Sequence, residues 1–94
     1  MKEVKEILYT DSFRERYQRL PLIIQCKAEK QERIFLLNPF YPSLHTEKLE
    51  PKHLGIWSFR IDDQYRVAFK FLDVDRVIFL TVGTHDWVYR RIFF

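Results

Sequence analysis

Three apolar runs in the second half of the chain, parted by very short polar breaks, constrain the fold more than any other feature. The runs are Leu54 to Ile61, Tyr65 to Leu72 and Arg76 to Val82, and the breaks are Asp62-Asp63-Gln64 and Asp73-Val74-Asp75. Connections this short cannot cross over a sheet, so consecutive strands must double back as antiparallel hairpins. The apolar positions then set the register of the first hairpin. Ile61 falls opposite Tyr65, Phe59 opposite Val67 and Trp57 opposite Phe69, all on one face. A slip by one residue would turn that face outward.

The same register sets Arg60 opposite Arg66, with Ser58, Ala68 and Lys70 on their side of the sheet. Like charges directly opposite destabilise a sheet. An anion held between the two guanidinium groups would remove that penalty, and two arginines on a rigid sheet make a good phosphate clamp. In the alternative reading Asp62, Asp63 or another carboxylate neutralises both arginines and the face is merely solvated.

The first half of the chain reads as a strand followed by two helices. Lys2 to Tyr9, with Val4, Ile7, Leu8 and Tyr9, fits a short strand. Ser12 and Glu15 have the spacing of a capping box, and Phe13, Tyr17 and Leu20 recur at helical intervals after it. Pro21 suits the first turn of a second helix, which runs from Leu22 to Leu37 and buries Ile24, Ala28, Gln31 and Phe35 until Asn38-Pro39 ends it. Phe40 to Pro51, rich in proline, is a loop. The expected fold is therefore α+β: an antiparallel sheet with an N-terminal strand, a two-helix hairpin packed on one face, then three strands. Residues 1–94 suit one domain with a single core. Cys26, the one cysteine, has no partner for a disulfide or a cysteine metal site and is expected to be a buried, inert thiol.

Sixteen Lys and Arg against thirteen Asp and Glu give a formal charge of +3, which favours an anionic partner without naming one. No apolar run is long enough to span a bilayer and no signal-peptide core is present, so no membrane partner and a cytoplasmic location are expected. His45, His53 and His85 lack metal-site spacing, so neither a metal nor another cofactor is expected. His85 is a candidate general acid or base, because imidazole exchanges protons near neutral pH, or else a structural residue at a strand end. Gly83, two positions before it, is expected to let the chain bend and turn the imidazole towards the arginines. Glu47 is a candidate base in the loop. Tyr89 could stack on a nucleobase, or pack on the core with Trp87, Phe93 and Phe94.

The segment SLHTEKLEPKHLGIWSFRIDDQYRVAFKF, followed by VIFLTVGTHDWVY, resembles toxins of the RelE/ParE superfamily, especially the YafQ-like and YoeB-like branches. Three motifs in order carry the likeness: H-x-x-K-L from His45, G-x-W-S-x-R-I-x(4)-R from Gly55, and V-G-T-H-D-x-V-Y from Val82. The resemblance implies a RelE-like microbial RNase fold, a metal-independent endoribonuclease that cuts mRNA in the ribosomal decoding site, and a cognate antitoxin protein as partner. Arg66 matches a phosphate-stabilising arginine of the YoeB-like branch, Arg60 another arginine there, and Glu47 its catalytic glutamate. His85 matches the catalytic histidine of both branches, and Tyr89 an aromatic position of YafQ-like toxins.

The chain departs from the YafQ-like pattern, which has histidines at the positions of Glu47 and Arg60 and an aspartate at Gln64, so it mixes the two sets. The resulting assignment is Glu47 as general base, His85 as general acid, and Arg66 with Arg60 as the clamp for developing charge. His45, Lys48 and Lys52 would hold the RNA backbone, and Tyr89 a base. Two rival classes remain: a ParE-like gyrase-binding toxin without nuclease activity, and a non-catalytic basic RNA-binding remnant.

Overall fold

The computed structural model of the chain describes residues 3–93. It contains strand β1 (Glu6–Tyr9), helix α1 (Asp11–Gln18), helix α2 (Leu22–Leu37) and strands β2 (Glu47–Lys48), β3 (Trp57–Arg60), β4 (Tyr65–Phe71) and β5 (Arg76–Thr84). Helix α3 (His85–Phe93) follows directly. The five strands form one sheet in the order β1-β5-β4-β3-β2. The register between β3 and β4 is the one the apolar pattern predicts: Trp57 opposite Phe69, Phe59 opposite Val67, and Arg60 opposite Arg66. The fold is α+β, as expected, with β1 pairing parallel to β5 and the other pairs antiparallel. No hairpin joins β1 to β5, so no tight turn dictates their relative direction.

Beyond β1, helix α1 covers the same edge of β5. Thr10 N donates to Phe79 O at 3.1 Å, Thr10 Oγ1 to Leu80 O at 2.6 Å, and Arg16 Nε to Val82 O at 3.3 Å. One backbone N–H and two side chains thus satisfy carbonyls that would otherwise form an open sheet edge. Thr10 also caps α1, its Oγ1 accepting from Phe13 N at 3.0 Å. This corrects the capping box expected of Ser12 and Glu15. Ser12 lies inside α1 with its hydroxyl 3.2 Å from Thr81 Oγ1, and Glu15 instead pairs with Arg19 at 2.9 Å.

Helix α2 spans the range its pattern predicts and buries Ile24, Ala28, Gln31 and Phe35. Cys26 is exposed rather than buried. Two residues after Ile24 is roughly 200° around a helix, on the solvent side. The loop after α2 holds more order than its prolines suggest, with short 3₁₀ turns at Pro42–Leu44 and Lys52–Leu54 on either side of β2. The start of the N-terminal run at Lys2 and the tail residue Phe94 lie outside the described residues. Among the described residues, no helix is long and apolar enough to cross a membrane.

The core forms between α2 and the sheet. The Phe35 ring lies 5.0 Å from Phe59, 5.0 Å from Phe69 and 5.4 Å from Phe79, so one residue of α2 touches each of the three central strands. All four rings are within 1% of complete burial. Four positions earlier on the same stripe, Gln31 Nε2 donates to Arg60 O at 2.9 Å and to Ser43 O at 3.2 Å, tying the helix to the end of β3. Phe35→Ala should lower unfolding stability by about 3–5 kcal/mol, the usual loss for a fully buried phenylalanine. Urea denaturation followed by circular dichroism measures it, and a loss below about 1 kcal/mol would show that the core does not hinge on this ring.

Candidate active site

The side of the sheet facing away from α2 carries the polar residues. Opposed residues share a face, so pairing across the strands lays out two rows there. One contains Glu47, Ser58, Ala68 and Thr81; the other contains Arg60, Arg66 and Gly83. Helix α3 lies against β4 and β5 and is capped by Thr84, whose Oγ1 accepts from Trp87 N at 3.3 Å. It covers part of a face that strand alternation alone would leave to water. Ser58, Ala68 and Thr81 are buried there, and Val88 of α3 is fully buried outside the main core.

Arg66 is only 6% exposed. Its Nη1 donates to Asp62 O at 2.8 Å, Asp63 O at 3.1 Å and Tyr65 O at 3.2 Å, which pins the guanidinium to its own hairpin turn. Nε and Nη2 bond no protein group among the described residues. Burial, and then the neighbouring Arg60 charge, lower the Arg66 pKa from its ordinary value. An arginine nevertheless remains charged at any physiological pH.

The carboxylates expected as possible neutralisers do not play that part. The Asp62 carboxylate accepts from the N–H groups of Gln64 and Tyr65, each at 2.9 Å, and meets Lys27 at 3.5 Å. Among the described residues, no carboxylate forms an ion pair with Arg60 or Arg66.

The turn that anchors Arg66 also anchors the histidine, because His85 N donates to Gln64 O at 2.7 Å. The His85 ring packs on Tyr89, one helical turn later, with centroids 4.2 Å apart, and His85 Nδ1 lies 3.5 Å from Asp86 Oδ1. Tyr89 in turn donates to Glu47 Oε1 at 2.8 Å, joining α3 to β2. Burial, the hydrogen bond to Glu47 and the charge of Glu47, in that order, raise the Tyr89 pKa from 10.0 to about 12. An open cleft of about 480 Å³ lies at this end, bordered by Asp63, Gln64, Arg66, Thr84, His85 and Asp86.

Five of the sequence-derived site residues therefore come together: Glu47, Arg60, Arg66, His85 and Tyr89. The other three stand outside this cluster. Lys48 follows Glu47 in β2 and points to the opposite face, its ammonium 5.8 Å from the Trp57 ring. His45 ends a 3₁₀ turn at φ 47° and is exposed, and Lys52 is exposed in the second turn. Among the described residues, no three His, Cys, Asp or Glu are grouped as a metal site requires. A second cavity, about 300 Å³, opens between the α1–α2 pair and the sheet. Its carboxylates Glu29 and Glu32 already accept from Tyr17 at 3.4 Å and Tyr9 at 3.2 Å.

Sequence reasoning missed α3, although Thr84 followed by Asp86 in a first turn was a readable start signal. It also misread Gly83. That residue sits inside β5, and a Cβ there would stand 2.8 Å from Trp87 Cε3 and 3.0 Å from Arg16 Nη2. The glycine thus permits close packing; the chain leaves the strand only after Thr84.

No family model matches the chain, and no curated protein matches it by sequence. Solved structures do match. The YoeB/ParE toxin from Agrobacterium tumefaciens superposes with a TM-score of 0.73 at 22% identity, over 86% of this chain and 99% of that one. YafQ from E. coli strain BL21(DE3) gives a TM-score of 0.72 at 15% identity, over 88% and 96%. The chain has the fold of the RelE/ParE-type toxins. A chain of the heterotetrameric YoeB-YefM toxin-antitoxin complex from Staphylococcus aureus shares it with a TM-score of 0.68 at 19% identity, over 87% and 97%.

The raised Tyr89 pKa has a definite consequence at alkaline pH. A group whose folded pKa lies above its unfolded value contributes stability in full below the unfolded pKa and loses it on rising through the folded one. The contribution of the Tyr89–Glu47 contact should be complete below pH 10 and vanish as pH approaches about 12. Absorbance titration of tyrosinate should show a late-ionising amplitude that is reduced in Tyr89→Phe, the remainder coming from Tyr9, which is also pushed up to about 12. If Tyr89 ionises near pH 10 instead, the hydroxyl is not held by Glu47 in solution.

Proposed function

We propose that this chain is the toxin of a type II toxin-antitoxin system, a single-domain, metal-independent endoribonuclease that cleaves mRNA in the ribosomal decoding site. The observation that carries the reading is the joining of a carboxylate and an imidazole through one tyrosine, beside two arginines that pair with no carboxylate among the described residues. The fold shared with YoeB and YafQ toxins supports it.

Cleavage of RNA without a metal requires a base for the 2′-hydroxyl, cationic donors for the phosphorane and an acid for the leaving 5′-oxygen. Glu47 takes the 2′-hydroxyl proton on its carboxylate while Tyr89 holds Oε1. The 2′-oxygen attacks phosphorus, Arg66 and Arg60 balance the charge on the non-bridging oxygens, and the bond from phosphorus to the 5′-oxygen breaks. Protonated His85 supplies the proton to that oxygen. The products are a 2′,3′-cyclic phosphate and a 5′-hydroxyl, and proton exchange with water resets both groups. Tyr89 orients Glu47 and offers its ring to a base, while His45, Lys48 and Lys52 meet more distant phosphates of the message or ribosomal RNA.

The partner in this reading is a cognate antitoxin, as YefM is for YoeB and DinJ for YafQ in their complexes. Expression in a bacterium, with mapping of mRNA ends, tests the proposal. The parent should cut translated messages in phase with codons, and co-expression of the antitoxin should restore growth. His85→Gln and Glu47→Gln should each lower cleavage by ~10²–10⁴, the range typical for loss of a general acid or base, with little change in melting temperature. Parental cleavage by both variants would reject the assigned roles. Double-strand DNA breaks without mRNA cleavage would favour a gyrase poison.

A further inference from the structure

Helix α3 carries both His85 and Tyr89, so its rotation about its own axis decides where both side chains point. The fully buried Val88 seats the helix, and Trp87 beside it limits how far the helix can turn. Trp87 lies between His85 and Tyr89 in sequence, roughly 200° around the helix from His85. Two neighbours crowd its ring. One is the backbone of Gly83, where a Cβ would come within 2.8 Å of Trp87 Cε3 and 3.0 Å of Arg16 Nη2. The other is Arg16 of α1, whose guanidinium carbon stands 3.6 Å from the ring centroid. Arg16 is itself fixed to the edge of β5 by its hydrogen bond to Val82 O at 3.3 Å.

We infer that Gly83, Trp87 and Arg16 form a lock that sets the rotation of α3, and that Trp87 and Arg16 are positioning residues for the RNA cleavage proposed above. The inference rests on that reading for its catalytic half, while its structural half is independent of it. Arg16 reaches the reaction through two intermediaries: it stacks on the indole beside Gly83, and the seated indole turns the His85–Tyr89 face of α3 towards Glu47 and Arg66. A larger residue at position 83 or loss of the cation at position 16 would unseat the ring. Either change would move the imidazole without altering any group that touches substrate. Misplacement on the order of 1 Å is enough to cost ~10²-fold in rate.

The test uses Arg16→Ala, Arg16→Lys and Gly83→Ala, with Trp87→Ala as a fourth variant where it folds. The structural readout is the nuclear Overhauser contact between the Tyr89 ring and the Glu47 side chain, which bridges α3 and β2 and does not depend on activity. The lock predicts that Arg16→Ala and Gly83→Ala weaken this contact while the rest of the sheet keeps its spectrum, and that Arg16→Lys retains part of it. The catalytic readout is kcat and KM for mRNA cleavage on programmed ribosomes. Arg16→Ala should lower kcat by about tenfold or more with KM within about twofold, and should add no further loss in a His85→Gln background, because coupled residues are not additive.

An unchanged Tyr89–Glu47 contact in both Arg16→Ala and Gly83→Ala would overturn the lock. A lost contact with parental kcat, or full additivity with His85→Gln, would overturn the positioning role. If the parent cleaves no RNA, the proposed function and the positioning role fall together, and the Overhauser contact still decides the lock by itself.

Discussion

The contact of Phe35 with Phe59, Phe69 and Phe79 is the interaction on which the rest of the structure depends. A single ring on α2 meets one ring from each of the three central strands at 5.0–5.4 Å. Such a contact exists only if all three strands present the same face at the same level, so it selects the sheet register and the seat of the helix together. Aromatic pairs at these separations prefer tilted or edge-on arrangements, and the interplanar angles of 30°, 83° and 75° follow that preference. A one-residue slip would replace the Phe59 ring by Ser58 or Arg60, and the Phe69 ring by Ala68 or Lys70.

Because a strand alternates, what the core fixes on one face it also fixes on the other. Phe59 and Val67 on the inner face place Arg60 and Arg66 together on the outer one. Their mutual repulsion is tolerated because neither has a free choice of position. Arg66 is tied to the carbonyls of the Asp62-Asp63-Gln64 turn, and the carbonyl of Arg60 is held by Gln31 from the helix side. The same turn receives His85 N through Gln64 O, so a few residues of hairpin loop organise both the cationic and the imidazole parts of the site.

Helix α3 converts this sheet surface into a site. It brings Tyr89 within electrostatic reach of Arg66, whose burial strengthens the guanidinium as a partner for anything that enters, since charge interactions grow as the local dielectric falls. It also brings a histidine and a tyrosine from the chain end to a glutamate about forty positions earlier, at the price of exposing little polar backbone because Thr84 caps its first turn. The aromatic residues of this segment divide their labour. Tyr89 meets Glu47 and His85, while Trp87 meets Arg16 and Gly83.

Much of this was decided locally and could be read from the sequence. The β3–β4 register, the extent and buried stripe of α2, and the pairing of Arg60 with Arg66 all follow from apolar periodicity, because burial acts on each residue through its own polarity. Other features depend on which distant segments meet, and no local pattern encodes that. The parallel pairing of β1 with β5 and the capping of α1 by Thr10 instead of Ser12 arise from the docking of the N-terminal segment on β5. The bond from Tyr89 to Glu47 arises from the fold-back of α3. Gly83 shows the difference most directly. The sequence by itself marks only a residue without a side chain, and tertiary structure supplies the reason, an indole and a guanidinium packed into the space that a side chain would need.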